Sequence, residues 1–363
     1  IKRVYGHAVF LNPSNYFKID SCNIHNFGAG GVTTSSATGG HHITVTGNVF
    51  HTGQELWRYS KRSGWEAAIQ LVSANNICED NIIRYNVVYD IYGEGINTPN
   101  SLCEYNVVGD TYSIAINNSP HAWDSKTTII RYNFVIASNR TSGYPGSTGI
   151  RIMDENPGGS NANADAQIYG NIVINKDFGI RIVDGEGFGT PFGSVKIYNN
   201  TVIDSHKYNM YVAHPEKFSS IKIYNNSFVL YDQTSETHVL DYQDFLPHPN
   251  WTIDNNHFWT AGSPPTVDID WRTNMITTDP KLSGEPTIDW DGQSGPTYYK
   301  DIKFSDVYPL VGSALIGTGK TLGVDYNKIF LTKGTDFSTL PDAINFTLSS
   351  QTDGSWDIGA IEY

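Results

Sequence analysis

One asparagine recurs along the chain between fixed apolar positions. In seven segments the residue three places before it and the residue two places after it are apolar. These asparagines are Asn48, Asn86, Asn133, Asn171, Asn200, Asn226 and Asn256. A weaker copy centres on Asn106, and in the first copy Cys22 takes the asparagine place. Between residues 22 and 256 the repeats are 20 to 38 residues apart. Such a period is typical of solenoid proteins.

A second short strand follows each asparagine by about nine residues. Apolar and polar residues alternate in it with a period of two, as in Ile150, Arg151 and Ile152, which predicts strands and not helices. Turns rich in Gly, Asn, Ser and Asp separate the strands, and no helical pattern lies between them. Short strands repeated in this way predict an all-β fold in which the coils of a parallel β-helix stack on one another.

The recurring asparagine has a physical role in such a helix. Stacked at the strand spacing of about 4.8 Å, each side-chain amide can hydrogen-bond the next one along the helix. A β-sandwich also predicts alternating strands, but it does not predict one polar residue between fixed apolar flanks. We therefore expect residues 14–258 to form about nine coils, with the asparagines stacked inside one turn as an asparagine ladder.

This repeat resembles that of the secreted right-handed parallel β-helix superfamily, which includes pectate, alginate and chondroitin lyases and related glycosidases. Residues 279–281, 312–320 and 357–363 are similar to the closing segment of many bacterial surface and secreted members. The resemblance implies a right-handed helix in a secreted or cell-surface protein. It implies no single activity, because the same coil hosts lyases, hydrolases, epimerases, phage spikes and structural surface proteins.

The C-terminal part of the chain differs from the rest. Residues 259–363 lose the repeat and gain Pro, Gly and Asp. We expect residues 1–258 to form the coils, and residues 259–363 to form final irregular coils and a C-terminal cap of the same domain. Because an exposed last coil would offer unpaired strand edges, the cap is expected to cover the open end of the solenoid.

Charge narrows the range of partners. The 24 Lys and Arg against 37 Asp and Glu give a formal net charge of −13. A protein that binds nucleic acids or anionic membranes needs a basic surface, so the negative net charge excludes them as general partners. No apolar stretch approaches the roughly 18 residues of a membrane span, and the first residues show no signal peptide, so we expect a mature or trimmed chain without membrane insertion. Three cysteines, Cys22, Cys78 and Cys103, cannot make a disulfide framework.

Candidate chemistry lies on the outward-facing middle residues of the second strands, here called the polar column. The polar column comprises Thr33, Gln70, Asn97, Asn117, Arg151, Arg181 and Tyr211. Arg151 and Arg181 would lie one strand spacing apart, where they repel each other unless an anion lies between or across them. Two interpretations stay open, namely a surface ladder of ion pairs and the floor of a groove that grips a carboxylated sugar chain.

Further charged residues follow the polar column. Asp154, Asp184 and His214 each come three places after a column member, and Glu186 lies close by. The hard carboxylate oxygens of Asp154, Asp184 and Glu186 suit Ca²⁺, so these three are the candidate metal ligands. No other cofactor is expected.

Two insertions would flank the same face, at about residues 51–66 and 153–166. The first is aromatic and basic within an acidic protein, a composition suited to stacking on sugar rings and contacting carboxylates. Tryptophans that pack on the coil would give the same composition. The candidate substrate-binding residues are Trp57, Arg58, Lys61, Arg62, Trp65, Gln70, Asn97 and Asn117.

The pattern favours a polysaccharide lyase that cleaves a uronic-acid polymer by β-elimination. That reaction needs a cation to neutralise the uronate carboxylate, a base to remove the C5 proton and an acid to protonate the leaving O4. Arg151 and Arg181 would neutralise the carboxylate. His214 or Tyr211 would serve as base and acid. An acidic polysaccharide is thus the expected partner.

Two alternatives remain open from the sequence. A glycoside hydrolase would use Asp154 and Asp184 as its carboxylate pair, because carboxyls on adjacent coils lie near the roughly 5 Å separation of a retaining pair. The two arginines are harder to explain for a neutral substrate. The resemblance equally allows a non-catalytic surface, adhesion or filament protein, and the oligomeric state is left open.

Overall fold

A computed structural model describes residues 2–35, 38–54, 66–72, 78–119, 126–136, 147–154, 165–174, 176–184, 192–205, 207–213, 215–231, 238–242, 249–262, 273–284, 307–331, 346–350 and 355–361, without the side chains of residues 2, 3, 154, 184, 192 and 238–242. Strands make up nearly all of the regular structure in these ranges, and a 3-10 helix spans Pro215–Lys217. Nowhere in the same ranges does a helix have the length and apolar character needed to span a membrane.

The strands are short and follow one another closely. The first sixteen are β1 Lys2–Val4, β2 Val9–Leu11, β3 Ser14–Asn15, β4 Lys18–Asp20, β5 Asn23–Phe27, β6 Val32–Thr34, β7 Gly40–His41, β8 Thr44–Thr46, β9 Val49–Gly53, β10 Ala67–Gln70, β11 Cys78–Glu79, β12 Asn81–Arg84, β13 Val87–Ile91, β14 Glu94–Asn97, β15 Ser101–Glu104 and β16 Val107–Gly109. The others are β17 Ile114–Asn118, β18 Thr128–Arg131, β19 Phe134–Ile136, β20 Thr148–Asp154, β21 Ala166–Tyr169, β22 Ile172–Ile174, β23 Phe178–Asp184, β24 Phe192–Tyr198, β25 Thr201–Ile203, β26 Tyr208–Val212, β27 Phe218–Tyr224, β28 Ser227–Leu230, β29 His238–Tyr242, β30 Trp251–Asp254, β31 His257–Thr260, β32 Ile329–Leu331 and β33 Leu348–Ser350.

Three long parallel sheets contain most of these strands. The first runs β1-β5-β9-β13-β16-β19-β22-β25-β28-β31, the second β2-β6-β10-β14-β17-β20-β23-β26-β29, and the third β4-β8-β12-β15-β18-β21-β24-β27-β30. Within the described ranges each full coil gives one strand to each sheet, and successive coils pair in parallel. A short sheet, β3-β7-β11, and an antiparallel pair, β32-β33, lie outside this frame. The architecture is a parallel β-helix, so the predicted all-β fold class is confirmed.

The asparagine ladder lies in the turn between the third and first sheets. The ladder consists of eight buried asparagines from Asn48 to Asn256. Each of the first seven donates from Nδ2 to the Oδ1 of the next over 2.9 to 3.0 Å. Asn106, from the weaker copy of the repeat, is one of them. Ladder amides also bond the backbone: Asn48 Nδ2 donates to the Ile19 and Thr46 carbonyls, and the Asn48 N–H donates to Asn86 Oδ1. The buried amides are therefore satisfied, and the predicted register is confirmed.

The residue just before each ladder position has the left-handed backbone conformation. Its φ lies between 52° and 65° in all nine copies that the structure describes, from Ser21 to Asn255. Glycine and asparagine adopt this conformation most easily, and they fill five of these places, as at Gly47 and Asn225. The tight turn aims each ladder amide inward, toward its neighbours.

Cys22 marks the point where the ladder stops. Its backbone N–H donates to Asn48 Oδ1 at 2.9 Å, but its thiol offers no amide to continue the chain of bonds. Cys22→Asn should add one donor to Asn48 and raise the free energy of unfolding by about 0.5–1.5 kcal/mol, measured by urea denaturation. Cys22→Ser is the control, since it removes the thiol without adding an amide. Equal gains in the two variants would contradict this prediction.

A second apolar cluster covers the outer face of the first sheet. Phe134, Ile172 and Ile174 point away from the solenoid core and belong to this cluster together with Phe330 and Trp356 of the C-terminal segment. The described parts of residues 307–361 therefore lie along the flank of the coils. The cap that the sequence predicts over the open end of the solenoid stays a prediction.

Polar contacts fix the C-terminal segment to the turns of the coils. Asn225 Nδ2 donates to the Lys320 carbonyl at 2.9 Å, and the Lys320 N–H donates back to Asn225 Oδ1 at 2.8 Å. The Tyr132 hydroxyl donates to the Ile329 carbonyl at 2.9 Å. Residues 273–276 continue the stack beyond β30 and β31 through isolated parallel bridges. The division at residue 258 stays a prediction.

Candidate functional site

The polar column forms on the second sheet. Parallel pairing places its members opposite one another in the order Thr33, Gln70, Asn97, Asn117, Arg151, Arg181 and Tyr211. The same register places Phe10 before the column and Asp241 after it. The adjoining Ile150 and Ile180 are fully buried in the solenoid core, so the column faces outward, as strand alternation predicts.

Facing outward does not leave the column fully exposed to water. Asn97 is 4%, Asn117 1% and Arg151 6% exposed, while Arg181 and Tyr211 are half-buried. Withdrawing polar and charged side chains from water costs free energy unless each one finds a partner. The hydrogen-bond and ion-pair partners of each column residue therefore determine which side chains are available to bind a ligand.

Glu94, which is 1% exposed, joins the column from the first position of β14. Arg151 Nε donates to Asn117 Oδ1 at 3.0 Å, and Asn117 Nδ2 donates to the two carboxylate oxygens of Glu94 at 3.1 and 3.2 Å. Arg151 Nη2 lies 3.6 Å from Glu94 Oε1, within ion-pair distance. The three side chains form a buried network that compensates the charge of Arg151.

Arg181 has a different environment. Its guanidinium carbon lies 4.8 Å from the centre of the Phe178 ring and 5.5 Å from that of the Tyr211 ring. Its Nε is buried without a hydrogen-bond partner, and none of the described carboxylates lies within ion-pair distance of it. Burial, and then the charge of Arg151, lower the pKa of Arg181 from its ordinary value. Arg181 therefore retains unused capacity to bind an anion.

Aromatic rings surround this cation. The Phe178, Tyr208 and Tyr211 ring centres lie 5.4 to 5.5 Å apart. Such rings offer an apolar surface next to a donor, and the two tyrosines add hydroxyl groups. Farther along the column, Thr33 Oγ1 and Asn97 Oδ1 are buried without a partner among the described residues. A cation, an aromatic surface and free hydrogen-bonding atoms thus share one face.

Several predicted site residues lie outside the described residues. They are Trp57, Arg58, Lys61, Arg62, Trp65, Glu186 and His214. For Asp154 and Asp184 only the backbone is described, and it pairs the two residues opposite each other on β20 and β23. No group of three His, Cys, Asp or Glu able to hold a metal occurs in the described ranges. The roles predicted for these residues stay predictions.

Glu94 is the site residue that strand alternation misses. Strict alternation from Asn97 would point Glu94 into the core. Gly95 and Ile96 both face inward instead, and a Cβ on Gly95 would lie only 2.7 Å from Val108 Cγ1 in the core. This irregularity returns Glu94 to the outer face. The signal available in the sequence is the small residue two places before column members, as at Gly95, Gly149 and Gly179.

No protein-family model matches the chain, and no curated protein matches it. Among solved structures the chain is similar to a mutant of a PL6-family alginate lyase, AlyGC, with 11% identity and a TM-score of 0.28. The match covers 90% of this chain and 58% of that one. At this score the likeness carries no argument about activity; the parallel β-helix itself follows from the strand pairing above.

Proposed function

We propose that this protein binds an acidic polysaccharide on the polar column and cleaves it by β-elimination at a uronic acid residue. The observation that carries the proposal is Arg181, a half-buried cation that lies one strand from Arg151 and whose Nε has no hydrogen-bond partner among the described residues. A uronate carboxylate that paired with the half-buried guanidinium of Arg181 would relieve the repulsion between the two guanidinium groups. Secretion or cell-surface display is part of this proposal.

The chemistry follows from where the charge develops. Pairing the carboxylate with Arg181 makes the neighbouring C5–H more acidic, because the cation stabilises negative charge that spreads onto the carboxylate. A base removes the C5 proton, and the electron pair of the C5–H bond forms the C4–C5 double bond. The C4–O4 bond breaks at the same time, and an acid donates a proton to the leaving O4. Tyr211 pairs with Arg181 on the side opposite Arg151, which makes its hydroxyl the described candidate for proton transfer. His214 remains the second candidate.

The proposal includes a Ca²⁺ ion that Asp154, Asp184 and Glu186 would bind. The register brings Asp154 and Asp184 together on adjacent strands, and carboxylates are ligands that suit a hard cation. Bound there, Ca²⁺ would supply positive charge beside the uronate. If it does, a chelator should remove turnover and added Ca²⁺ should restore it. Turnover that is unchanged by the chelator would show that the arginines act without a metal.

The decisive experiment is incubation of the protein with a panel of alginate, pectin and glycosaminoglycans. We expect unsaturated uronate ends, detected by their ultraviolet absorbance, from at least one polymer. New reducing ends without unsaturation would instead favour the glycoside hydrolase, with Asp154 and Asp184 as its carboxylate pair. Binding without any new chain ends would favour the non-catalytic surface protein, and neither binding nor cleavage would contradict the proposal.

A further inference from the structure

We infer that Glu94 is a positioning residue that fixes Arg151 through Asn117 and thereby leaves Arg181 as the cation that takes the substrate carboxylate. This inference rests on the proposed function and divides roles between two arginines that the sequence treats alike. Its basis is the contrast between their surroundings. Arg151 lies in a network with a buried carboxylate, whereas Arg181 lies against two aromatic rings.

The geometry of the network restricts Arg151. A guanidinium has several donors in one rigid plane, so fixing Nε on Asn117 and Nη2 near Glu94 sets the orientation of the whole group. Asn117 cannot turn to release it, because its amide nitrogen is held by the Glu94 carboxylate at the same time. All three side chains are buried, where such bonds are stronger than in water. Arg151 therefore presents a fixed positive charge to the site.

The charges lead to different roles. Glu94 compensates Arg151, so the attraction of Arg151 for a ground-state carboxylate is weakened. Among the described residues no carboxylate compensates Arg181, which makes it the stronger anchor for that group. A fixed ion pair beside an anchored uronate mainly stabilises the additional negative charge that develops on the uronate in the transition state. Arg151 would then affect the rate of elimination more than binding.

The test compares Glu94→Gln with Glu104→Gln. Glu104 is a buried carboxylate on the third sheet, where its Oε2 lies 2.7 Å from Arg131 Nη2, so it provides a matched ion pair outside the polar column. Glutamine at residue 94 keeps an acceptor for Asn117 but removes the charge that holds Arg151. On the panel polymer that the wild-type protein cleaves, we expect Glu94→Gln to lower kcat about tenfold or more with KM not raised, because a small misplacement acts on the transition state.

A second measurement does not depend on turnover. Phenylglyoxal modifies accessible arginines, and mass spectrometry of the peptides assigns each modified residue. In the wild-type protein Arg181 should react faster than Arg151, and Glu94→Gln should raise the rate at Arg151 several-fold. Glu104→Gln should change neither arginine, nor kcat, although it should lower the melting temperature.

The possible results separate the two proposals. Equal losses of kcat in the two glutamine variants, or an unchanged reaction rate at Arg151 in Glu94→Gln, would overturn the role of Glu94. A rise in KM with kcat unchanged would show that Arg151 anchors the substrate, which also overturns it. If the wild-type protein cleaves no polymer, the proposed function fails, while the arginine modification still decides whether Glu94 holds Arg151.

Discussion

Asn171→Leu should lower the free energy of unfolding by about 3 kcal/mol, the largest stability effect we expect from a single ladder position. Asn171 Oδ1 accepts hydrogen bonds from both the backbone N–H and the side-chain Nδ2 of Asn133, each at 3.0 Å. Leucine leaves the buried backbone N–H of Asn133 without an acceptor and removes the donor that Asn171 Nδ2 offers to the Ile130 and Tyr169 carbonyls. Each unsatisfied buried group costs about 1–3 kcal/mol. Equilibrium urea denaturation gives the change as a lower midpoint at constant slope.

Asn48→Leu is the matched control, because Asn48 lies at the first end of the ladder. Its Oδ1 accepts from the backbone N–H of Cys22, an exposed residue to which water has access. The loss there should be smaller than at Asn171 by about 1 kcal/mol, since solvent replaces the missing acceptor. Equal losses of stability in Asn48→Leu and Asn171→Leu would mean that each asparagine contributes independently of its position in the ladder.

The coil architecture could be predicted because a solenoid repeats its contacts locally. Each coil touches only its neighbours, so one asparagine between fixed apolar residues specifies the stacking of all coils. The left-handed conformation of the residue directly before each ladder asparagine is harder to predict from the sequence. Tyr85, Tyr105 and Tyr132 fill this place with φ between 52° and 56°, which costs about 1–2 kcal/mol for a residue other than glycine.

Ring stacking between coils explains these three tyrosines. The Tyr85 and Tyr105 ring centres lie 5.1 Å apart, and those of Tyr105 and Tyr132 lie 5.5 Å apart. Stacked aromatic rings contribute about 0.5–1.5 kcal/mol per pair beyond their buried area, which offsets part of the backbone cost. A single copy of the repeat does not show this compensation, because the partner ring belongs to the next coil.

The candidate site was predictable only in part, for a similar reason. Strand alternation placed Arg151 and Arg181 in one outward column, because Ile150 and Ile180 had to face the core. Alternation could not place Glu94, since two inward-facing residues in succession break the period of two. Arg151 and Arg181 have different partners because this irregularity places Glu94 beside Arg151. The spacing between the two arginines in the sequence does not indicate that difference.

Arg181→Ala should abolish binding and turnover of an acidic oligosaccharide while leaving the free energy of unfolding within about 1 kcal/mol of the wild-type value. Its contacts with Phe178 and Tyr211 stabilise the fold by about 0.5–2 kcal/mol each. Two terms oppose this gain, namely the burial of an Nε that has no partner in the described part of the chain and the repulsion from Arg151. Because these terms oppose each other, the loss of the side chain should change stability little in either direction, as measured by urea denaturation beside the turnover assay.

Arg131→Ala is the control for Arg181→Ala. Arg131 Nε donates to Glu104 Oε2 at 2.7 Å and its Nη1 donates to the Tyr169 hydroxyl at 2.8 Å, so its donors are used within the fold. Removing it leaves a buried carboxylate unpaired and should destabilise the protein by about 3 kcal/mol without affecting turnover at the same temperature. If Arg181→Ala instead lost stability like Arg131→Ala and still bound the oligosaccharide, Arg181 would be structural and the non-catalytic scaffold would become the better account of this chain.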